Sequence, residues 1–223
     1  MDSVAVRTVR DQVADSLRRA IFRGELLPGQ SVGQEDIAQR LGVSRMPVRE
    51  AFHILEHDGL LVLQNHRRAV VREWTPEDIA DHYTIRGLLE GEAAARAAQD
   101  PSAHQSIRIA HEEAQQLVHH DDAKGFVQAN EVLHREIWEA GGSRHLIELL
   151  NQLWHGLPPH LPELIPGQMG RSNTEHNQIV EAITAGLGEL ARKRMQEHIL
   201  RSRNDFLERS GGGGFPFGAR GVK

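Results

Sequence analysis

Asn130 and His134 lie four residues apart in the stretch NEVLH, one helical turn, a spacing that lets a side-chain oxygen and an imidazole reach the same metal ion. The usual oxygen at such a spacing is a carboxylate, and the amide of Asn130 is a neutral, weaker donor. The chain contains 14 histidines and no cysteine, so any metal it holds must be bound by His, Asp, Glu or Asn. Asn130 falls between Phe126 and Leu133 on an apolar stripe that continues to Ile137, and His134 borders the same stripe. Two further histidines have this placement. His176 precedes Ile179, Val180 and Ile183, while His198 follows Leu190, Ala191 and Met195 and precedes Ile199 and Phe206. Polar groups aimed at a helical core need partners, and spacing alone leaves open whether these are each other, a water or a metal. In the metal-free alternative, Asn130 hydrogen-bonds His134.

A second set of residues suits nucleic acid. Arg45, Arg49 and His53 are spaced by four, opposite the apolar Val48, Ala51, Phe52 and Leu55. A helix that buries one side and shows arginines at its start fits the DNA major groove, where an Arg on a guanine edge makes two hydrogen bonds. Ser44 and Met46 share that end of the helix, and Asn65, His66, Arg67 and Arg68 form a basic loop suited to the minor groove or the backbone. Arg40 and Arg72 are further candidates.

The elements that must carry these residues follow from periodicity and breakers. Val9, Val13, Leu17 and Ile21 mark a helix over 7–23, closed by Gly24, and LLPGQSV reads as a turn. A short helix over about 34–41 turns Ile37, Ala38 and Leu41 inward and stops at Gly42. Ser44 is placed to cap the arginine-bearing helix over about 45–57, with Pro47 in its first turn. LLVL and AVVRE around QNHRR read as a hairpin. Three short helices and a hairpin make a winged helix-turn-helix. Beyond Trp74 the pattern is helical throughout, over roughly 76–99, 102–120, 122–140, 143–155, 173–185 and 188–208. Asp100-Pro101, Gly141-Gly142, GLPPHLPELIPGQMG and Gly186/Gly188 supply the breaks. The expected organisation is mostly α: a winged helix-turn-helix domain suited to DNA over 1–74, an all-helical antiparallel bundle over 75–209, and a glycine-rich disordered tail over 210–223.

The net charge of −5 argues against a broadly basic nucleic-acid binder, but the mean hides an asymmetry. Residues 1–75 hold 11 Lys/Arg against 10 Asp/Glu, and residues 76–223 hold 15 against 21. No apolar run approaches the roughly 18 residues of a membrane span, and no stretch looks like a signal peptide. The absence of cysteine suits a cytoplasmic protein.

IFRGELLPGQSVGQEDIAQRLGVSRMPVREAFHILEHDGLL closely resembles the winged-helix domain of the GntR family of bacterial transcription regulators, and YTIRGLLEGEAAARAA, NEVLHREIWEAGG, TEHNQIVEAI and ARKRMQEHI resemble the FadR-type FCD effector domain. The resemblance implies a homodimer on a palindromic operator, with Ser44, Arg45 and Arg49 on DNA. It further implies a divalent metal such as Zn, Ni or Mn on Asn130, His134, His176 and His198, and an effector carboxylate on Arg86. Three features depart from the family: Asn130 replaces an acidic ligand, Arg67-Arg68 replaces the usual Arg-Gly of the wing, and Glu35 stands where some relatives carry arginine. Three imidazoles and an amide neutralise none of a metal's charge, so an anionic effector is expected to complete the shell. His82, His104, His111, His119, His120, His145, His155 and His160 match nothing in the family and are expected mostly at the surface or in loops.

The function so implied is a ligand-responsive regulator, a repressor in the first instance. Two rivals differ in class. A metal-dependent hydrolase with a DNA-binding appendage shares the histidines but shows no general base beside them, Glu131, Glu136 and Glu175 lying on other faces or at a helix start. A non-switching architectural DNA binder would leave the polar pocket without purpose.

Overall fold

The structure, a computed structural model, describes residues 8–65, 68–156 and 167–211, with side chains to Glu208 and excepting that of Asn65. The chain divides into two compact units, one formed by the residues up to Glu77 together with those from Glu208, the other spanning Asp78–Leu207.

In the first unit, α1 (Val9–Phe22) starts at a capping box in which Thr8 Oγ1 accepts from the Asp11 N–H and Asp11 accepts from the Thr8 N–H, satisfying donors that the helix leaves free. It buries Val13, Ala14, Leu17, Ile21 and Phe22, while Val9, the first residue of its stripe, lies exposed. β1 (Ser31–Gly33) leads into α2 (Gln34–Leu41), which ends at Gly42 with φ of 66°, a left-handed conformation natural to glycine. Leu41, expected inside, is exposed, because the core side of this two-turn helix ends at Ala38. α3 (Arg45–His57) packs on α1 and buries Val48, Ala51, Phe52 and Leu55 completely. Ser44 takes the N-cap position but makes no side-chain cap bond. β2 (Leu61–Asn65) and β3 (Arg68–Val71) form the hairpin, and β1 joins β3 antiparallel, giving the order β1-β3-β2 with Ser31 opposite Val70. The third strand lies where a turn was expected.

Among the described residues the second unit is built of helices: α4 (Pro76–Ala97), a 3-10 turn at Pro101–Ala103, α5 (His104–His119), α6 (Ala123–Gly141), α7 (Arg144–Gly156), α8 (Gln168–Thr184) and α9 (Gly188–Gly211). α8 starts five residues before the expected 173, inside PGQMG, and the expected tail is described only as far as Gly211; residues 212–223 lie outside the described residues. No helix among the described residues is long and apolar enough to cross a membrane.

α4 decides the geometry of the site. Its GEAAARAA run buries Gly91, Ala93, Ala94, Ala95 and Ala97, small residues that let neighbouring backbones come close. A Cβ at Gly141 of α6 would lie 1.9 Å from the Ala93 carbonyl oxygen, and one at Gly91 would lie 3.2 Å from the Arg192 carbonyl oxygen of α9. Gly141→Ala therefore forces two backbones apart and is expected to cost about 1–3 kcal/mol, as overpacking in a closed core does. Urea unfolding of the variant beside the wild type checks it. His82 and His111, expected at the surface, are buried on α4 and α5 because each falls on the core side of its helix.

Candidate metal and effector centre

α6 brings Asn130 and His134 to the core, α8 brings His176, and α9 brings His198; all four side chains are buried. Each imidazole offers a nitrogen, and the three nitrogens all lie within 4.8 Å of one another. The ring centroids are 5.3 Å apart for His134 and His176, 5.5 Å for His134 and His198, and 4.6 Å for His176 and His198. The sequence-derived histidines thus converge. No hydrogen bond joins Asn130 to His134 among the described residues, and His134 Nδ1 is engaged elsewhere.

Its partner is Glu90, fully buried on α4, whose Oε2 lies 2.6 Å from His134 Nδ1 and accepts from Trp138 Nε1 at 3.1 Å. Glu175 does the same for His198: its Oε2 is 2.6 Å from His198 Nδ1, and Arg201 Nε and Nη2 donate to its two oxygens. A carboxylate on Nδ1 fixes that nitrogen as the protonated one and turns the Nε2 lone pair inward, the usual support for a metal-ligating imidazole. His176 differs. Its Nε2 faces His198 Nε2 at 3.2 Å, and its buried Nδ1 has no partner among the described residues. With His198 protonated on Nδ1, its Nε2 is an acceptor, so His176 must present N–H to it or share an ion with it. The donor set and the orphaned nitrogen fit a divalent cation of borderline softness.

Electrostatics favour the same state. Burial, followed by the neighbouring imidazoles, holds His176 well below the usual histidine range, and burial takes His198 down to about 4 against the opposing pull of Glu175. Both rings are neutral at pH 7, as metal ligands must be. The His198–Glu175 contact is accordingly a hydrogen bond from a neutral ring. Burial alone would raise Glu90, but Arg86 and His134 outweigh it and hold the carboxyl at about 2. In Glu175 the bonds from His198 and Arg201 likewise outweigh burial and lower the pKa.

Arg86 is buried, with Nε and Nη2 donating to Glu90 Oε1 at 3.0 and 2.7 Å. Its guanidinium lies 4.7 Å from the centre of the Trp154 ring, and that ring is 5.0 Å from His134. Two carboxylates, which the sequence reading did not include, therefore stand directly behind the imidazoles, each also paired with an arginine. Glu90 was missed although Arg86 and Glu90 form an i,i+4 pair on one helix face, a signal available in the sequence. Glu175, which the sequence pattern places at a helix start, lies inside α8 next to His176, because that helix begins at Gln168.

In the first unit, Arg45, Arg49 and Arg68 line one concave face with Glu35 and Met46, and all five are exposed. Arg45 Nη1 pairs with Glu35 at 2.7 Å, and Arg49 Nη2 lies 3.5 Å from the Met46 sulfur. Ser44 is exposed beside them. Asn65 ends β2 opposite Arg68, while His66 and Arg67 lie outside the described residues. Arg72 stacks at 4.6 Å on the Trp74 ring, which gives it a packing role.

Residues 9–71 match the family model of bacterial regulatory proteins of the gntR family, and residues 81–201 match that of the FCD domain. The chain is 31% identical over 207 residues to a probable D-xylose utilization operon transcriptional repressor of Paenarthrobacter nicotinovorans, covering 89% of this chain and 91% of that one. Among solved structures, a putative GntR transcriptional regulator from Rhodococcus sp. RHA1 superposes with a TM-score of 0.67 at 27% identity, over 89% of this chain and 97% of that one. McbR/YncC of E. coli superposes with a TM-score of 0.72 at 23% identity, over 92% and 99%.

Proposed function

Given that the chain belongs to the GntR family of bacterial transcription regulators and carries an FCD domain, we propose that it is a homodimeric repressor whose helical domain senses a small organic acid through a divalent metal. Regulators of this family are not enzymes, so the hydrolase reading falls away. In this reading residues 1–74 bind DNA, residues 75–209 bind effector and pair the subunits, and the protein works in the cytoplasm on a palindromic operator. Arg45 and Arg49 reach base edges or adjoining phosphates, aided by Ser44, Met46 and the wing residues Asn65, His66, Arg67 and Arg68. Half-sites about one DNA turn apart suit two such helices.

The observation that carries the sensor reading is the convergence of three buried imidazoles, two of them backed by carboxylates. His134, His176, His198 and Asn130 would hold Zn, Ni or Mn, which when bound supplies a Lewis-acidic cation for a carboxylate to meet. Arg86 takes the acid's other charge. A coupling of about 1–3 kcal/mol between pocket and DNA changes operator occupancy roughly 5- to 150-fold, enough for a switch.

Metal analysis of protein purified without chelators tests the reading. Zn, Ni or Mn should be present, and Asn130→Asp, which supplies an anionic donor, should bind it more tightly. No metal at any occupancy in either form overturns the metal reading.

A further inference from the structure

We propose that Glu90 is a positioning residue that couples anion capture at Arg86 to metal binding at His134, so that each ligand tightens the other through one buried carboxylate. The inference rests on the metal-and-acid reading above.

Glu90 has no exposed surface, and both of its oxygens are taken: Oε1 by Arg86 Nε and Nη2, Oε2 by His134 Nδ1 and Trp138 Nε1. Four hydrogen bonds fill a carboxylate's acceptor capacity. Glu90 is therefore neither a metal ligand nor an effector contact, and what remains for it is to join the two. Glu175 makes the same bond to His198, but its arginine is committed elsewhere, because Arg201 also binds Asp205 at 2.6 Å and Ser172 at 3.2 Å. Arg86 makes no hydrogen bond other than those to Glu90 among the described residues, so three of its five N–H donors remain for an anion. Arg201 thus has four of its five donors engaged, against two for Arg86, so the Glu90–His134 pair is the one tied to an arginine with most of its donors to spare.

The direction of the coupling follows from charge sharing in a site of low dielectric. An anion on Arg86 draws the guanidinium's charge away from Oε1, and the carboxylate then accepts more strongly from His134 Nδ1–H. That makes Nε2 the better donor to a metal. In reverse, a metal on Nε2 polarises Nδ1–H and pulls the Glu90 charge toward it, leaving Arg86 less compensated and more attractive to an anion. Linkage requires the two effects to be equal.

The test is calorimetric titration of full-length protein with Zn²⁺, with and without benzoate, a monocarboxylate that barely chelates zinc in solution. In wild type, saturating benzoate should tighten zinc by about 5-fold or more, within the usual range of allosteric coupling. Glu90→Gln and Glu175→Gln should each weaken zinc by roughly 10- to 100-fold, as loss of a supporting carboxylate does. Only Glu90→Gln should abolish the benzoate effect. Equal benzoate enhancement in Glu90→Gln and wild type overturns the inference and leaves the sensor reading standing, since direct contact between acid and metal would explain it. Failure of wild type to bind zinc, or to bind it more tightly with benzoate, overturns both. Should Glu90→Gln not fold, proton NMR of metal-free wild type decides: benzoate should move the His134 Nδ1–H resonance downfield, and an unmoved resonance overturns the coupling.

Discussion

A chain carrying Arg45→Ala and Arg49→Ala together should bind its operator about thirtyfold to twenty-thousandfold more weakly, since each arginine at a base edge is worth roughly 1–3 kcal/mol. Both side chains are exposed, and the buried side of α3 runs through Val48, Ala51, Phe52 and Leu55, so the fold is untouched. Operator DNA selected from a random pool, titrated at matched salt, gives the measurement. Relaxed sequence preference with an unchanged salt slope places the arginines on bases. A slope smaller by about one per arginine places them on phosphates. Zinc binding should be as in wild type, and undiminished DNA affinity would mean that α3 is not the reading helix.

The second large effect is acid destabilisation of the metal-free protein. His198 titrates near 4 in the folded chain, because burial disfavours its charge, against an ordinary value of 6.5. Below pH 6.5 the unfolded chain takes up a proton that the folded chain refuses, so stability falls as pH drops from 6.5 to about 4 and then levels off. This one ring contributes a loss of order 3 kcal/mol across that window. His176, also depressed, acts in the same direction. Glu90, held at about 2, is worth most above its ordinary 4.5, and its contribution disappears as pH falls from 4.5 to about 2. Urea midpoints measured in EDTA at pH 7, 6, 5 and 4 should decline at every step. A flat curve from pH 7 to 4.5 would contradict the neutral buried rings.

The amphipathic helices were legible because their apolar spacing is a local property, and so were the three convergent histidines, each flanked by residues that must be buried. What tertiary pairing creates was not. Ser31–Gly33 is a strand only because β3, some forty residues on, offers its edge, and a three-residue SVG carries no period. The start of α8 at Gln168 was masked by Gly167 and Gly170, which read as breakers. Glu90 looks like a surface acid within EGEAA; its burial follows from α6 and α9 pressing on a helix face of glycine and alanine. His82 and His111 were misjudged for a related reason, since α4 is buried around most of its circumference and α5 turns one side to its neighbours.

Of the three imidazoles, two are clamped from behind and one is not. Glu90 and Glu175 fix the rings of His134 and His198, whereas His176 leans on Phe126, its ring stacked at 6.4 Å, with no hydrogen bond on Nδ1 among the described residues. Mechanically this is a vice with two jaws fixed from behind and a third held only by packing. In the metal reading proposed above, His176 would be the ring left to adjust to ions of somewhat different radius, and the pocket would then select by ligand chemistry more than by size.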